Sequence, residues 1–270
     1  MRPRSRPRPR PRPSPGLLLV PLLVLAGCET QPVDWADPVP IAQQSPGDRL
    51  TVDASGTARF VPQTAPLVAG PAVPGLCASS LRTARGDRHL FAAWWSVRRD
   101  NSAVLYSASS PDSGATWGNP VAVDTSDVSS RGCSRPPPSL ATVGDDLHTA
   151  YSMVAPEGTG VFFAHFMGSM LHSPVAVIYG ERLVATAIAA AGDTVVVAYE
   201  EPNGSRQQVD VALSATQGHI FEWHATASRD VDVASAPTLA LAGRRLAVSW
   251  LTRGPADSAG TRVVRVGRLR

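Results

Sequence analysis

The sequence predicts an all-β fold, a β-propeller of four-stranded antiparallel blades. Three observations carry this. A unit of roughly 50 residues recurs along the chain. Each unit alternates short apolar strands with polar turns. No stretch shows the periodicity of an amphipathic helix. Four blades are clear, at 75–125, 136–179, 183–228 and 236–270, with five blades and an incomplete six both left open.

Residues 1–27 read "MRPRSRPRPRPRPSPG" and then "LLLVPLLVLAG", a basic lead before a short apolar run. That pattern is a secretory signal, too short to span a bilayer as a mature helix. Leu25-Ala26-Gly27-Cys28 resembles the bacterial lipobox. The resemblance implies cleavage before Cys28, with lipid such as palmitate on its thiol and amine. It places the chain in a bacterial cell envelope outside the cytoplasm, held to the lipid bilayer through Cys28. An ordinary secreted protein and an uncleaved anchor are the alternatives. Residues 28–47, rich in proline and polar side chains, are expected as a flexible tether, because such segments stay extended and solvated. The propeller domain is then 48–270.

The leader holds six of the 25 basic residues and none of the 22 acidic ones, so the remainder carries a formal charge of −3 in place of +3. No basic stripe is interleaved with aromatics, which leaves a nucleic-acid role without support. Beyond Cys28 the cysteines are Cys77 and Cys133, an even pair in a compartment where disulfides persist. A Cys77–Cys133 disulfide is expected, with two separate buried thiols as the alternative. No Ser-His-Asp set, phosphate loop or dinucleotide fingerprint occurs, and no cofactor is expected. The six histidines (His89, His148, His165, His172, His219 and His224) show no ligand spacing, and no metal is expected.

Residues 48–62, "DRLTVDASGTARFVP", hold one or two short strands. One of these is expected to supply the missing outer strand of the fourth blade, latching the ring shut and covering an open edge. A degenerate fifth blade from 40 to 73 is the alternative. The clear blades follow. "GDRHLFAAWW" (86–95) has counterparts in "GDDLHTAYS" (144–152), "GDTVVVAYE" (192–200) and "GRRLAVSWL" (243–251). The starting glycines are 58, 48 and 51 residues apart, and each strand ends near an aromatic: Trp94, Tyr151, Tyr199 and Trp250. A first strand lies upstream of each, as in "PSLAT", "ATAIA" and "PTLAL", and a third lies downstream, as in "AVLYSAS" and "GVFFAHF".

After the third strand of the first unit comes "SSPDSGATW" (109–117). Asp112 can accept backbone N–H groups of its own turn, Gly114 can take a positive φ, and Thr116 offers a hydroxyl. Trp117 is expected to bury its ring between sheets, a contact whose truncation in a core costs about 3–5 kcal/mol. Weaker counterparts follow at "AHFMGSMLHSPVAV" (164–177) and "SATQGHIF" (214–221), with Gly114, Gly168 and Gly218 spaced by 54 and 50 residues.

Ser110, Asp112, Gly114, Thr116 and Trp117 together resemble the Asp-box, or bacterial neuraminidase repeat, found in sialidases and in non-enzymatic propellers. The resemblance covers residues 75–270 and implies a sialidase-like propeller. It implies that the box lies between the third and fourth strands, opposite the face that carries a ligand site. Sialidase chemistry would need three arginines for a carboxylate, a Tyr nucleophile with a Glu, and an Asp acid–base. The family's early Phe/Tyr-Arg-Ile-Pro stretch is absent, and "ARFVP" (58–62) places Arg59 before Phe60. Tyr199 and Glu200 are adjacent in a strand and should point to opposite faces.

The opposite face would carry Arg98, Arg99, Asp100, Arg131, Arg135, Glu200, Glu201, Arg253 and Asp257 as ligand-face candidates. Arg98, Arg131, Arg135 and Arg253 are the expected donors to an anionic ligand. Plain loop polarity explains the same residues without a ligand. No catalytic residue is assigned. The sequence therefore points to a membrane-tethered, non-catalytic propeller that binds or scaffolds an envelope glycan or protein. The alternative is a reduced exo-sialidase-like glycoside hydrolase.

Overall fold

The computed structural model describes residues 31–62, 70–204, 207–228, 233–253 and 260–270; the leader, Cys28 and Asp257 lie outside them. Two short strands come first, β1 (Val33–Trp35) and β2 (Val39–Pro40), followed by a hairpin of β3 (Arg49–Val52) and β4 (Ala58–Val61). Blade one is β5 (Arg82–Arg85), β6 (Leu90–Val97), β7 (Ala103–Ser110) and β8 (Val121–Asp124), in that spatial order. Blade two is β9 (Ser139–Val143), β10 (Asp146–Ala155) and β11 (Gly158–Met167), with β12 (Met170–Leu171) and β13 (Val175–Gly180) sharing the outer edge of β11. Blade three is β14 (Thr186–Ala191), β15 (Thr194–Glu200), β16 (Val209–Ser214) and β17 (Trp223–Thr226). Blade four holds β18 (Ala234–Ala242), β19 (Arg245–Thr252) and β20 (Thr261–Leu269). Every strand pairing is antiparallel.

The second strand of each blade reads as a near-continuous apolar run because it is buried on both faces. In β6 the six residues Leu90–Trp95 are all buried, and in β15 so are Val195–Tyr199. Side chains of opposite parity then fill opposite interfaces. Trp95 and Leu105 meet Tyr151, Met153 and Phe162 between blades one and two. Phe163 and Val177 meet Val197 and Tyr199 between blades two and three. Val196, Val211 and Leu213 meet Leu246, Val248 and Trp250 between blades three and four. The recurring aromatic therefore faces the preceding blade at Tyr151, Tyr199 and Trp250. Trp94 turns the same way, toward Leu76 and Leu81.

The first strands run side by side around one axis. β5 neighbours β9, β9 neighbours β14, β14 neighbours β18, and β18 neighbours β3. Together these five line a central cavity of about 660 Å³. The architecture is an all-β propeller of four full blades plus the β3–β4 hairpin, which packs Leu50 and Val52 against Ala240, Ala247 and Val264 of blade four.

The N-terminal region departs from expectation. The outer strand of blade four comes from β1 and β2, inside the segment read as a tether over 28–47, and not from 48–62. Val33 pairs with Leu269, Trp35 with Gly267, and Val39 with Val264. The physical reason is local complementarity. Gly267 has no Cβ, and one built there would fall 2.4 Å from Val33 and 2.8 Å from Trp35. The absent side chain lets the strand and the indole lie against β20, while Arg265 stacks over Trp35 at 5.3 Å. Residues 48–62 are freed to form the hairpin beside the axis.

The 110–118 turn is held as its residue types suggest. Ser110 Oγ donates to Asp112 Oδ1 (2.8 Å), and Gly114 N–H donates to Ser110 Oγ (2.7 Å). Thr116 donates its N–H to Asp112 Oδ1 (2.8 Å) and its hydroxyl to Asp112 Oδ2 (2.6 Å). These donors, the Thr116 hydroxyl first, hold the Asp112 carboxyl down to about 2. Trp117 is half-buried on the Trp94–Tyr106 face and not enclosed between two sheets, so it contributes less than a core tryptophan. The turn of blade three keeps the backbone shape without the carboxylate. Ser113 and Gly114 have φ of 61° and 95°, and Gln217 and Gly218 have 58° and 90°. The blade-two counterpart is different: Met167 pairs directly with Met170 in a tight hairpin.

A disulfide joins Cys77 to Cys133 with Cα atoms 5.4 Å apart. It ties the segment before blade one to the loop between blades one and two. The loop-entropy account of a bridge closing 56 residues gives roughly 4 kcal/mol. Cys77→Ser with Cys133→Ser is expected to lower unfolding free energy by about 2–4 kcal/mol, read from the urea midpoint at unchanged m-value.

Candidate functional site

Strand direction gives the ring two ends. The 110–118 and 214–221 turns lie at one. At the other lie the loops joining second to third strands and those joining one blade to the next, where the sequence placed its ligand-face candidates.

Several of those candidates are taken up by protein partners. Arg98 donates to Ser102 Oγ (3.2 Å) and to the Thr125 carbonyl (2.8 Å). Asp100 accepts the Ser102 N–H (3.0 Å) and hydroxyl (2.7 Å), which hold its carboxyl below the ordinary range. Arg135, expected as a donor to an anionic ligand, is instead fully buried. Its Nη2 donates to Asp127 Oδ2 (2.5 Å) and to the Ser129 carbonyl (2.8 Å), and its Nη1 donates to the Gly132 carbonyl. Asp127 also accepts the Ala103 N–H at 2.9 Å, so this ion pair fastens the 125–138 loop to blade one. Arg99, Arg131 and Arg253 are exposed.

The acidic candidates divide. Glu200 reaches across to blade four and accepts the Ala236 N–H at 2.9 Å. Ala236 has φ 51°, a conformation L-residues avoid, and it sits in the β18 bulge just before Pro237 and Thr238 on the cavity wall. Arg262 grips the same residue from below through its carbonyl, at 3.3 Å. Glu201 accepts the Asn203 N–H at 2.6 Å and lies beside Asp210. Burial first, then the neighbouring Glu201, pushes the Asp210 carboxyl up to about 6. Tyr199 is 1% exposed and its hydroxyl meets His224 Nδ1 at 3.1 Å, away from Glu200. The charges that act on the Tyr199 hydroxyl are those of Asp210 and Glu201.

The axis offers a different surface, which the sequence reading missed. Thr51, Thr83, Ser139, Thr142, Thr186 and Thr238 are among the residues that line the central cavity, with alanine and leucine between them. The Thr51 and Thr142 hydroxyls donate to the Arg59 and Arg85 carbonyls at 3.1 and 2.7 Å. The Ser139 and Thr186 hydroxyls lie 2.9 Å apart. Thr238 Oγ1 is buried without a protein partner. Asp48 is the one acidic residue of the described lining, and Arg49 and Arg85 are its basic ones. The alternation of small and hydroxyl side chains in "PSLAT" and "PTLAL" carried this signal, but it becomes a site only when five strands meet.

The fold also brings three of the histidines together. Residues 165 and 172 face each other across the Met167–Met170 turn, with the His172 N–H donating to the His165 carbonyl at 2.9 Å. His219, from the turn of blade three, joins them, and one nitrogen of each lies within 4.8 Å of the others. Burial brings His148 and His165 down to about 4.

No family model matches the chain, and no curated protein matches it. Among solved structures it is similar to a protein of unknown function from Dyadobacter fermentans, at 15% identity and a TM-score of 0.53. That match covers 87% of this chain and 61% of the other. It is also similar to the Trypanosoma rangeli sialidase in complex with sialic acid, at 14% identity and a TM-score of 0.48, over 84% of this chain and 40% of that one. A third is the xylan β-1,4-xylosidase from Bacillus halodurans, at 13% identity and a TM-score of 0.42, over 90% and 56%. The chain thus spans 40–61% of the length of these structures. At such identities the likeness is one of fold, and function has to be argued from the site.

Two outcomes follow from the geometry. Arg135→Ala leaves Asp127 buried and unpaired, and should cost about 3–5 kcal/mol, whereas Arg131→Ala should stay within about 0.5 kcal/mol, both measured by urea denaturation. The raised Asp210 carboxyl favours the folded state while protonated and opposes it once ionised. Stability from this group is therefore lost as pH climbs from the ordinary carboxylate range through about 6. Thermal melts should show Asp210→Asn more stable than wild type at pH 7.5 and equal to it at pH 4.

Proposed function

We propose that this chain is a lipid-anchored, extracytoplasmic binding propeller that takes a neutral, polyhydroxylated ligand, an envelope glycan, in its central cavity without turning it over. Cys28 is its lipidated residue in this reading, by the lipobox resemblance, and the 110–118 turn is a structural Asp-box. The observation that carries the ligand assignment is the composition of the cavity wall. Six hydroxyl-bearing residues from five strands are among the lining of a space of about 660 Å³, with a single carboxylate among the described lining residues. Hydroxyls and small apolar surfaces match sugar rings, which present OH groups at their edges and C–H groups on their faces.

Hydrolysis of a glycosidic bond calls for two carboxyl groups flanking the scissile bond. Among its described lining residues the cavity offers Asp48 alone, and Asp48 already accepts the Ser45 N–H at 2.9 Å. Capture of a sialic-acid carboxylate would call for converging guanidinium groups, and two of the face candidates, Arg98 and Arg135, are already taken up by Ser102, Thr125 and Asp127. The glycosidase-like neighbours support a carbohydrate ligand only as a shared scaffold. A reduced glycoside hydrolase is the second reading, favoured by the raised Asp210 carboxyl beside Glu201.

The test is binding of soluble cell-wall oligosaccharides to the full chain by calorimetry, paired with an assay for released reducing sugar. Binding is expected without sugar release, and Thr83→Val, on the cavity lining, should weaken it five-fold or more while leaving the fold intact. Saturable binding that Thr83→Val leaves unchanged would move the site off the axis. Sugar release abolished by Asp210→Asn would replace this reading with the hydrolase.

A further inference from the structure

The outer end of blade two carries a cluster that the glycan reading does not use. His165 lies on β11 and is 3% exposed; His172 follows β12 and stacks on it, ring centroids 4.5 Å apart at 13°. His219 comes from blade three and stands edge-on to both, at 4.8 Å and 76° from His165 and at 5.2 Å and 64° from His172. The Nε2 atoms of His165 and His172 are buried and have no hydrogen-bond partner.

Two orphaned imidazole nitrogens side by side are costly, since each gives up water for nothing. A phenylalanine would fill the same volume without that penalty, as Phe163 does beside them. The arrangement is accounted for if the lone pairs have a common acceptor. We propose that His165, His172 and His219 form a site for a divalent late first-row transition metal of the Zn²⁺ class, with solvent completing the shell on the exposed side of His219. Neutral imidazole is the favoured ligand for such ions, whereas Ca²⁺ and Mg²⁺ want oxygen.

The geometry sets what closure requires. Ligand nitrogens around one tetrahedral ion lie about 3.4 Å apart, given metal–nitrogen bonds of about 2.0–2.1 Å. Here they lie within 4.8 Å, so closure requires the three nitrogens to draw together by up to about 1.4 Å. His219 is exposed and sits on a turn, which leaves it free to do so. The surroundings favour a cation. The Asp146 carboxylate, accepting the Gly168 N–H at 2.6 Å, acts electrostatically on His165. The other charges acting on that ring are those of His172, His148 and His219, with no arginine among them.

The site would staple two blades. Gly218, next to His219, already lies against blade two so closely that a Cβ there would fall 2.1 Å from the Phe163 ring. The turns of blades two and three both lack the Asp112 carboxylate that braces blade one, and a metal would brace them jointly.

The experiment uses the full chain, without a histidine tag, stripped of metal and titrated with Zn²⁺ by calorimetry, and with Co²⁺ by visible absorption. Wild type should bind one Zn²⁺ that His172→Ala and His219→Ala each weaken at least ten-fold, while His89→Ala binds as wild type does. Co²⁺ should give the intense bands of a four-coordinate site, absent in His219→Ala. Zn²⁺ should raise the melting temperature of wild type and not that of His219→Ala. Both histidines lie outside the buried core, and matching far-UV spectra and metal-free melts would establish that the variants fold. Failure of wild type to bind, or equal Zn²⁺ affinity in wild type and His219→Ala, would overturn the site. Loss of the metal site would leave the glycan assignment standing, because the two lie at different places in the fold.

Discussion

The structure depends on one constraint: the second strand of every blade must be buried on both faces at once. A lone sheet with the sequence "LFAAWW" or "VVVAY" would expose one apolar face. Stacking sheets about an axis removes that face for all of them together, at roughly 25 cal/mol for each Å² of apolar surface withdrawn from water. Tyr151, Tyr199 and Trp250 show how the stacking is keyed. Each sits at the same place in its unit and enters the interface with the blade before it. An aromatic ring there fills the wedge that opens between sheets as they diverge from the axis.

The same constraint explains what the outer turns and loops are for. Polar side chains that look like ligand donors in one dimension are taken up in holding neighbouring blades together. Arg135 and Asp127 fasten the loop between blades one and two, Glu200 reaches from blade three to the bulge at Ala236, and Asp145 accepts the Arg88 side chain at 2.6 Å between the first two units. Charge on a propeller loop is thus weak evidence for a site, because inter-blade bracing demands the same residue types. At the axis, where the first strands meet, hydroxyls take a share of the same duty: Ser139 meets Thr186 at 2.9 Å, and Thr142 donates to the Arg85 carbonyl at 2.7 Å.

Blade closure gives the N-terminal region its shape. A third strand with no partner would leave an exposed hydrogen-bonding edge on β20. β1 and β2 cover it, and the hairpin that follows occupies the ring beside blade four. Composition misled here. Proline and polar residues in "PVDWADPVP" suit an extended solvated chain, and they equally suit a short edge strand, which needs few donors and tolerates proline. Only Val33 and Trp35, apolar at alternate positions, distinguished the two.

By itself the sequence determined the fold class, the repeat length and the residue types of the 110–118 turn. These are local or periodic properties, set by side-chain alternation and by backbone preferences within a few residues. Tertiary structure alone decided which strand completes blade four, that Thr51 and Thr238 share one cavity with Ser139, and that His219 meets His165 and His172. Those are meetings of residues tens to nearly two hundred positions apart. Their distances are fixed by how the blades pack around the axis, and no spacing along the chain records that angle.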